Sequence, residues 1–440
     1  MNKAAMNKDA MNMRIEGATV LVAGMAKSGL AAAALLLKKG ARVIACDSKP
    51  VDTTELGIEF RLQSPAAFKG IDLIVLSPGV PVNAVPTGIP VIGELELAAS
   101  FLKGPTIGIT GSNGKTTTTS LVGHILEGSG IPFQIGGNIG LPPTAMVDSS
   151  QDGQWNVLEL SSFQLETIQD FRAEIGVCLN ITPDHLDRHG TLDAYAGSKR
   201  RLFETQTEND YAVLNADDKI CSGFPARAKS KIVWFSLEHA VPGPGFWLEG
   251  NMLRDEGGPL MEAAEIPVRG RHNIENTLAA ATTARLAGAS LTQIGDAVKT
   301  FRAVEHRLEF VRNWNGIDFY NDSKATNVDA TLKAINAFES GLWVILGGKD
   351  KDSDYTVLRA PLKKAKAALL IGAAAVKIDG QIMGSTTLIQ CGDMKTAVET
   401  ASTQATKGDT VLLAPACASF DQFDNYEHRG RVFKSIVNGL

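Results

Sequence analysis

Residues 106–120 read TIGITGSNGKTTTTS: an apolar run of strand length, a turn with glycines at 111 and 114, then a lysine and a row of hydroxyls. A strand that ends in a glycine-rich turn and passes into a helix is half of a βαβ unit, so the segment calls for a parallel sheet covered by helices. Successive backbone N–H groups and a helix N-terminus present positive potential to phosphate, a lysine bridges the outer phosphates, and a hydroxyl holds magnesium. Gly111, Gly114, Lys115 and Thr116 fit those roles. The general pattern wants a glycine six residues before the lysine. Ile109 stands there instead, which makes this a variant loop, T-G-S-N-G-K-T-T.

The same rhythm runs along the whole chain. ATVLVAG, ARVIACD and IDLIVLSPGV alternate with helical patterns in the first hundred residues, and GIDFYND, LWVILGG, AALLIG and DTVLLAPA do so after residue 315. FWLEGNMLRD reads as a hairpin with a Gly-Asn turn, an antiparallel excursion in the middle of the chain. At roughly 150 residues per domain, 440 residues suggest three. The linker KGP at 103–105 and the restart of alternation after FRAVEHRLEFV place the boundaries. The expected organisation is a disordered start at 1–13, a Rossmann-like domain at 14–102, a central P-loop ATPase-type α/β domain at 103–304, and a Rossmann-like C-terminal domain at 305–440.

With 44% hydrophobic and 21% charged residues the chain can bury sizeable cores beneath a solvated surface. A net charge of −5 argues against a broad nucleic-acid or anionic-membrane face, so anionic ligands must be met locally. The longest greasy stretch, LAAAALLL at 30–37, is too short to cross a bilayer, and the N-terminus has no apolar core of a secretory signal. Five scattered cysteines, Cys46, Cys178, Cys221, Cys391 and Cys417, suit free thiols in a reducing cytoplasm.

Other residues carry two readings. Glu159 lies between Leu158 and Leu160 near a strand end, as a magnesium carboxylate or as an edge-strand residue. His185, in NITPDHLDRHG past another strand end, faces the phosphates or simply packs. GMAKSG at 24–29, followed by Asp47, is spaced G-x-x-x-x-G, and suits either a dinucleotide or a tight strand-to-helix turn. Late in the chain, NDSKATN, GGKDKDSD and PACASFDQF follow strand-like runs, where α/β sheets place ligands.

TGSNGKTTT, LELSSFQLE, LNITPDHLDRHG, GRHNIENTLAA, HRLE, NDSKATN and SPGV together resemble the Mur ligases, ATP-dependent amide-bond-forming enzymes of peptidoglycan precursor synthesis, over essentially the whole chain. APACASFDQF and SPGV are similar to the branch that adds D-glutamate, and the DNPR signature of the diaminopimelate- and lysine-adding branches is absent. The resemblance implies transfer of the ATP γ-phosphoryl to the carboxylate of UDP-N-acetylmuramoyl-L-alanine, then attack of D-glutamate on the acyl phosphate, with release of ADP and phosphate. It implies a cytoplasmic enzyme, a monomer, with no nucleic-acid partner and no membrane insertion.

Residue by residue, the resemblance puts Gly111, Ser112, Asn113, Gly114, Lys115, Thr116 and Thr117 on ATP, with Lys115, Glu159, His185 and Lys199 catalytic. Thr116 and Glu159 would take one magnesium, and Glu159 with His185 a second. Lys199, which by its neighbours Arg200 and Arg201 reads as an ordinary solvated base, matches a lysine carbamylated by carbon dioxide into an anionic metal ligand. Asn273, Asn276, Arg307, Asp322 and Lys324 match further ATP contacts, completed by closure of the third domain. Asp47, Ser77, Pro78, Gly79, Asn138 and His185 match the UDP-substrate site, so the first glycine-rich turn would hold UDP. Thr326, Lys351, Ser419, Phe420 and Tyr426 match the D-glutamate site. Two departures touch that pocket: Lys349 stands where some relatives carry aspartate, leaving the roles of Lys349 and Asp350 open, and Tyr426 stands where phenylalanine is common.

Folylpolyglutamate synthase shares the T-G-x-N-G-K-T loop but lacks a nucleotide-sugar domain ahead of it. A nicotinamide-dependent oxidoreductase explains residues 20–47 alone, and a non-catalytic ATP switch predicts no phosphate release that depends on an amino acid.

Overall fold

The computed structural model describes residues 15–227, 229–268, 270–302 and 304–440. The expected disordered start at 1–13 lies outside the described residues. The fold is mixed α/β, built on three sheets, as the alternation of apolar runs and helical patterns requires.

The first sheet is wholly parallel, with β1 (Thr19–Ala23), β2 (Arg42–Asp47), β3 (Glu59–Leu62), β4 (Leu73–Leu76) and β5 (Val91–Gly93) in the order β3-β2-β1-β4-β5. The chain reverses direction across it between β1 and β4, so the turns after those two strands flank a ready-made crevice.

The second sheet is formed by β6 (Thr106–Thr110), β7 (Phe133–Gly137), β8 (Trp155–Glu159), β9 (Ile175–Cys178), β10 (Tyr211–Asn215), β11 (Lys231–Ser236), β12 (Gly245–Glu249), β13 (Met252–Asp255) and β14 (Gly258–Glu262). Its order is β14-β13-β12-β11-β10-β9-β6-β8-β7, antiparallel only from β12 onward. The hairpin expected at FWLEGNMLRD is β12–β13, in which Glu249 pairs with Met252 across Gly250 and Asn251. Gly250 has φ 61, which glycine adopts without a Cβ penalty. In the middle of this sheet β6 is buried at every position and lies between β8 and β9, so the phosphate-type turn opens beside the ends of both neighbours.

The third sheet runs β15-β16-β20-β17-β18-β19, from β15 (Glu309–Trp314), β16 (Ile317–Asn321), β17 (Leu342–Gly347), β18 (Ala365–Ile371), β19 (Thr387–Gly392) and β20 (Thr410–Leu413). Only the β15–β16 pair is antiparallel. The loops NDSKATN, GGKDKDSD and PACASFDQF follow the three adjacent strands β16, β17 and β20.

The described residues divide into two compact units, one running to Glu262 and including Thr277–Val298, the other comprising Ala263–Asn276 and Lys299–Leu440. The first unit holds the first two sheets and the second unit the third. No helix among the described residues is long and apolar enough to cross a membrane.

Within the first unit the helix Glu94–Ala99 fastens the first sheet to the second with two buried carboxylates. Glu96 accepts hydrogen bonds from the backbone N–H groups of Gln169 (2.7 Å), Asp170 (2.8 Å) and Phe171 (3.1 Å). Glu94 accepts from the backbone N–H of Thr144 (2.8 Å) and from its hydroxyl (2.6 Å), both through Oε1. Its Oε2 is buried without a hydrogen-bond partner. Burial pushes the Glu94 carboxyl up to about 7, against the bonds from Thr144. A folded carboxyl that keeps its proton above the unfolded value binds more protons than the unfolded chain between about pH 4.5 and 7, so its contribution to stability falls as pH rises through that window. Glu94→Gln removes the ionisation. Urea unfolding should therefore show the variant gaining on the wild type from pH 5 to pH 8, by on the order of 1–3 kcal/mol. A difference that stays flat with pH would mean that Glu94 is ionised in the fold throughout.

Candidate active site

The turn after β6 is built to keep its backbone open. Gly111 has φ 146, and a Cβ there would lie 3.0 Å from Leu179 Cβ and 3.3 Å from Asn180 N, so a side chain would strain the backbone and push its neighbours aside. Gly114, at φ 86, caps the helix Lys115–Gly128. The loop is tied to the segment after β9. Ser112 N donates to Asn180 O (2.8 Å), Asn113 N donates to Asn180 Oδ1 (2.8 Å), and Ser112 Oγ donates to Thr182 O (3.0 Å). Ser112 Oγ also lies 3.1 Å from the Tyr195 hydroxyl. Thr117 is buried behind the loop in the first turn of the helix.

Two lysines meet on this loop. Lys115 Nζ donates to the carbonyls of Gly111 (2.8 Å) and Ser112 (2.9 Å), and Lys199 Nζ donates to the same Gly111 carbonyl (2.8 Å) and to Thr110 Oγ1 (3.4 Å). Lys199 comes from the helix Leu192–Arg200, is 1% exposed, and lies 4.6 Å from the centre of the Tyr195 ring. Burial, reinforced by the Lys115 charge, pulls its ammonium down to about 7. The plain reading of Lys199 as a solvated surface base is thus overturned: Arg200 and Arg201 are partly exposed on their side of the helix while Lys199 points inward.

Across the loop stands Glu159, the last residue of β8 and also 1% exposed. Its Oε2 accepts from Thr116 Oγ1 (2.7 Å) and its Oε1 from Asn138 Nδ2 (2.8 Å), and its backbone carbonyl accepts from Asn138 N (2.8 Å). Its strand is flanked on both sides, by parallel β6 and β7, which sets aside the edge-strand reading. Asn138 thus braces the carboxylate. A hydroxyl and a carboxylate oxygen side by side, next to a phosphate-type loop, make a donor set that suits a hard cation such as magnesium.

His185 starts the short helix Leu186–His189 with φ 53, its backbone N–H donating to Asp184 Oδ1 (3.0 Å) and its ring packed edge-on to Phe163 at 4.8 Å. Arg188, three residues on, pairs with Glu166 (2.6 Å) and reaches the carbonyls of Gly79 (3.5 Å) and Val80 (3.4 Å). The SPGV turn of the first sheet is thereby joined to the loop that carries His185. In that sheet's crevice Asp47 Oδ2 accepts from Met25 N (2.7 Å), and Ser77 Oγ donates to Gly24 O (2.6 Å). Burial opposes ionisation of Asp47, but backbone N–H donors, Met25 first, hold its carboxyl below the usual value. Pro78 and Gly79 complete the turn between β4 and Val80.

In the second unit, Arg307 lies between two residues of positive φ, His306 at 65° and Leu308 at 39°, and its Nε is buried without a hydrogen-bond partner. Glu309 receives the His306 N–H (3.0 Å) and Asp322 the Leu308 N–H (3.4 Å), so carboxylates pin the backbone on both sides of the arginine. Burial raises the Asp322 carboxyl to about 6, against the pull of Arg307. Lys324 Nζ sits 5.2 Å from the Tyr426 ring, which also meets the His306 ring edge-on, so Tyr426 stands with Lys324 and His306. Asn276 Nδ2 donates to Asn273 Oδ1 (3.1 Å) on the first turn of the helix Arg271–Leu286. Ser419 is buried, Phe420 is 67% exposed, and Thr326 is half-buried with its N–H on Lys324 O (2.9 Å).

The sequence reading passed over Asn180, Tyr195, Arg188 and Arg429. Asn180 had a signal, a lone amide closing the apolar run IGVCL. Arg429 had none. It is fully buried and donates to Ser323 Oγ (3.0 Å), Ser323 O (2.7 Å) and Cys417 O (3.1 Å), joining two of the three loops of the third sheet.

Residues 109–284 match the Mur ligase middle domain, and residues 306–417 match the Mur ligase glutamate ligase domain. The UDP-N-acetylmuramoylalanine–D-glutamate ligase of Solibacter usitatus is 62% identical over 97% of this chain and 99% of its own length. The chain belongs to the Mur ligase family. A second relative of the same name, from Acidobacterium capsulatum, is 52% identical over 97% of each chain. The MurF ligase from Thermotoga maritima, solved in complex with ADP, shares the fold at a TM-score of 0.63 and 16% identity, covering 97% of each chain. As a Mur ligase, the protein is an ATP-dependent amide-bond-forming enzyme.

For this Mur ligase the Lys199 ammonium is a folding liability. Below about pH 7 both the folded and unfolded chains carry the proton and the penalty of burying it is complete. Between about 7 and 10.5 only the unfolded chain does, so stability recovers as pH rises. Lys199→Met should raise stability in urea by ~1–3 kcal/mol at pH 6.5 in bicarbonate-free buffer, with the gain shrinking toward pH 10. A destabilised variant at pH 6.5 would show that the ammonium is compensated in the fold.

Proposed function

We propose that the protein joins D-glutamate to UDP-N-acetylmuramoyl-L-alanine at the expense of ATP, in the cytoplasm. The observation that carries this reading is the meeting of Lys115 and Lys199 on the Gly111 carbonyl, beside the Thr116–Glu159 pair. This arrangement gathers positive charge and oxygen ligands where a triphosphate enters. The names of the relatives supply the substrates.

In the first step a carboxylate oxygen of the muramoyl-L-alanine attacks the γ-phosphorus and the bond to the departing ADP oxygen breaks. The amine nitrogen of D-glutamate then attacks the acyl carbon of the resulting acyl phosphate. Phosphate leaves with the former C–O electron pair, and the nitrogen loses a proton. A free carboxylate is a poor electrophile, and phosphorylation supplies its leaving group. The protein contributes position and charge neutralisation. Gly111, Ser112, Asn113 and Gly114 offer backbone N–H groups, Lys115 follows the moving phosphoryl, and Thr117 supports the loop. Magnesium, when bound, neutralises phosphate charge, and Thr116, Glu159, His185 and Lys199 are the residues proposed to hold it. Lys199 fits that role as a carbamate. Its amine is drawn toward the neutral form that can attack carbon dioxide, and the product is an anion beside Lys115 in place of a second cation.

Asp47, Ser77, Pro78, Gly79 and Asn138 are proposed for the UDP substrate. Asn273, Asn276, Arg307, Asp322 and Lys324 are proposed for ATP, and Thr326, Lys351, Ser419, Phe420 and Tyr426 for D-glutamate.

Phosphate release by the purified protein with ATP, magnesium and UDP-N-acetylmuramoyl-L-alanine tests the reading, with D-glutamate, L-glutamate, L-lysine or meso-diaminopimelate added in turn. Release is expected with D-glutamate alone, together with a product heavier by one glutamyl residue. Release with another of these amines would overturn the substrate assignment, and none with any amine would overturn the reaction. Intact-protein and peptide mass spectrometry in bicarbonate should show Lys199 heavier by one carbon dioxide, with activity falling as bicarbonate is stripped away. Full activity on an unmodified lysine would refute the carbamate.

A further inference from the structure

Asp350, next to Lys351 in the GGKDKDSD loop, has no role in the function above, yet it is among the most completely bonded side chains of the second unit. Its Oδ1 accepts from the Tyr355 hydroxyl (2.7 Å) and from Ser353 N (3.2 Å), and its Oδ2 accepts from Lys377 Nζ (2.6 Å). Tyr355 is fully buried, its ring within the apolar core beneath β17, β18 and β20. Its oxygen also lies 3.0 Å from Cys417 Sγ. The phenol has one proton and donates it in the hydrogen bond to the Asp350 carboxylate, which is ionised beside Lys377. The Cys417 S–H must then donate to the phenol oxygen, and burial keeps that thiol protonated by raising it to about 11. The chain of bonds therefore runs in one direction, from Cys417 through Tyr355 to Asp350.

This chain crosses between two loops. Lys349 and Ala418 already exchange both backbone hydrogen bonds, Lys349 N to Ala418 O at 2.8 Å and Ala418 N to Lys349 O at 3.1 Å. Gly348 lies so close beneath that a Cβ on it would sit 2.3 Å from Ala418 O. One residue beyond that bridge, the side chains of Asp350 and Cys417 meet through Tyr355. Lys351 follows Asp350 directly, and Ser419 comes two residues after Cys417. Arg429 Nη1 fixes the Cys417 carbonyl from the other side (3.1 Å). Because the bridge is antiparallel, the unit so formed ties the two loops together between Lys351, which leaves at one end, and Ser419, which leaves at the other.

We propose that Asp350 and Tyr355 are positioning residues that set the distance between Lys351 and Ser419, and so the fit of the incoming amino acid. The proposal rests on the assignment of Lys351 and Ser419 to the D-glutamate pocket. It also gives Lys349 its part, as the backbone half of the same clasp. Neither Asp350 nor Tyr355 touches the substrate. A loosened clasp weakens capture of the amino acid and leaves phosphoryl transfer to the muramoyl carboxylate intact.

Steady-state kinetics on Asp350→Asn and Tyr355→Phe test this, each substrate varied in turn. Phenylalanine keeps the buried ring and removes only the hydroxyl, so Tyr355→Phe carries the test should Asp350→Asn fail to fold. The KM for D-glutamate is expected to rise roughly fivefold to twentyfold in either variant, the scale of one hydrogen bond, with the KM values for ATP and the UDP substrate and kcat within about twofold of wild type. Because both substitutions open the same clasp, the double variant should be no worse than about twofold beyond the weaker single one, and clearly non-additive. A D-glutamate KM unchanged in the soluble, folded Tyr355→Phe protein overturns the proposal, as does a parallel rise in all three KM values, which marks general loosening. A wild-type protein that releases no phosphate with D-glutamate removes the reading beneath the clasp, whereas an active wild type with unshifted variants removes the clasp alone.

Discussion

One backbone carbonyl, that of Gly111, receives two lysine side chains, the half-buried Lys115 and the fully buried Lys199, and much of the first unit holds that loop in place. Two cations brought within reach of one oxygen repel, and the burial of Lys199 removes solvent that would screen it. The arrangement persists because the loop has no freedom to relax. Gly111 is wedged against Leu179, Ser112 and Asn113 are fastened to Asn180 and Thr182, and the helix behind Lys115 is packed along its length. The crowding of charge falls on Lys199, whose ammonium is pulled down to about 7 by burial and by Lys115.

Carboxylates do a second kind of service in this fold, as receptors for backbone N–H groups at joints between elements. Glu96 takes three such groups from residues 169–171, Glu94 takes one from Thr144, Asp47 one from Met25, and Glu309 one from His306. Irregular backbone at a buried joint has donors that no ladder satisfies, and an acid supplies two acceptor oxygens that can serve several of them. Ionisable groups are thereby placed where geometry must be exact to a few tenths of an ångström.

The sequence announced the loop well and the side chains that long-range packing turns inward poorly, for a physical reason. A phosphate turn needs glycines at fixed offsets, and the strand before it needs an unbroken apolar run, so residues 106–116 could be read directly. The same holds for the Gly-Asn hairpin between β12 and β13 and for the three polar loops after β16, β17 and β20. Lys199 shows the limit. Its neighbours are two arginines, and nothing in the local string tells which of the three side chains of one helix turn faces inward, since that depends on a loop 88 residues earlier. Arg429 and Asp350 are harder still, because their partners lie on loops that come together only when the third sheet is complete.

The order of that third sheet has a consequence for how the protein comes into being. Strand β20, the last strand in chain order among the described residues, lies between β16 and β17, and the loop after it supplies both Cys417 and Ser419. Until residue 413 has emerged, β16 and β17 each present an open edge to a gap one strand wide. The first two sheets use no strand beyond β14 and can take shape while synthesis continues. A chain stopped early therefore carries a finished phosphate loop but no finished third sheet, and its two bare edges make it a target for aggregation or disposal rather than a half-working enzyme.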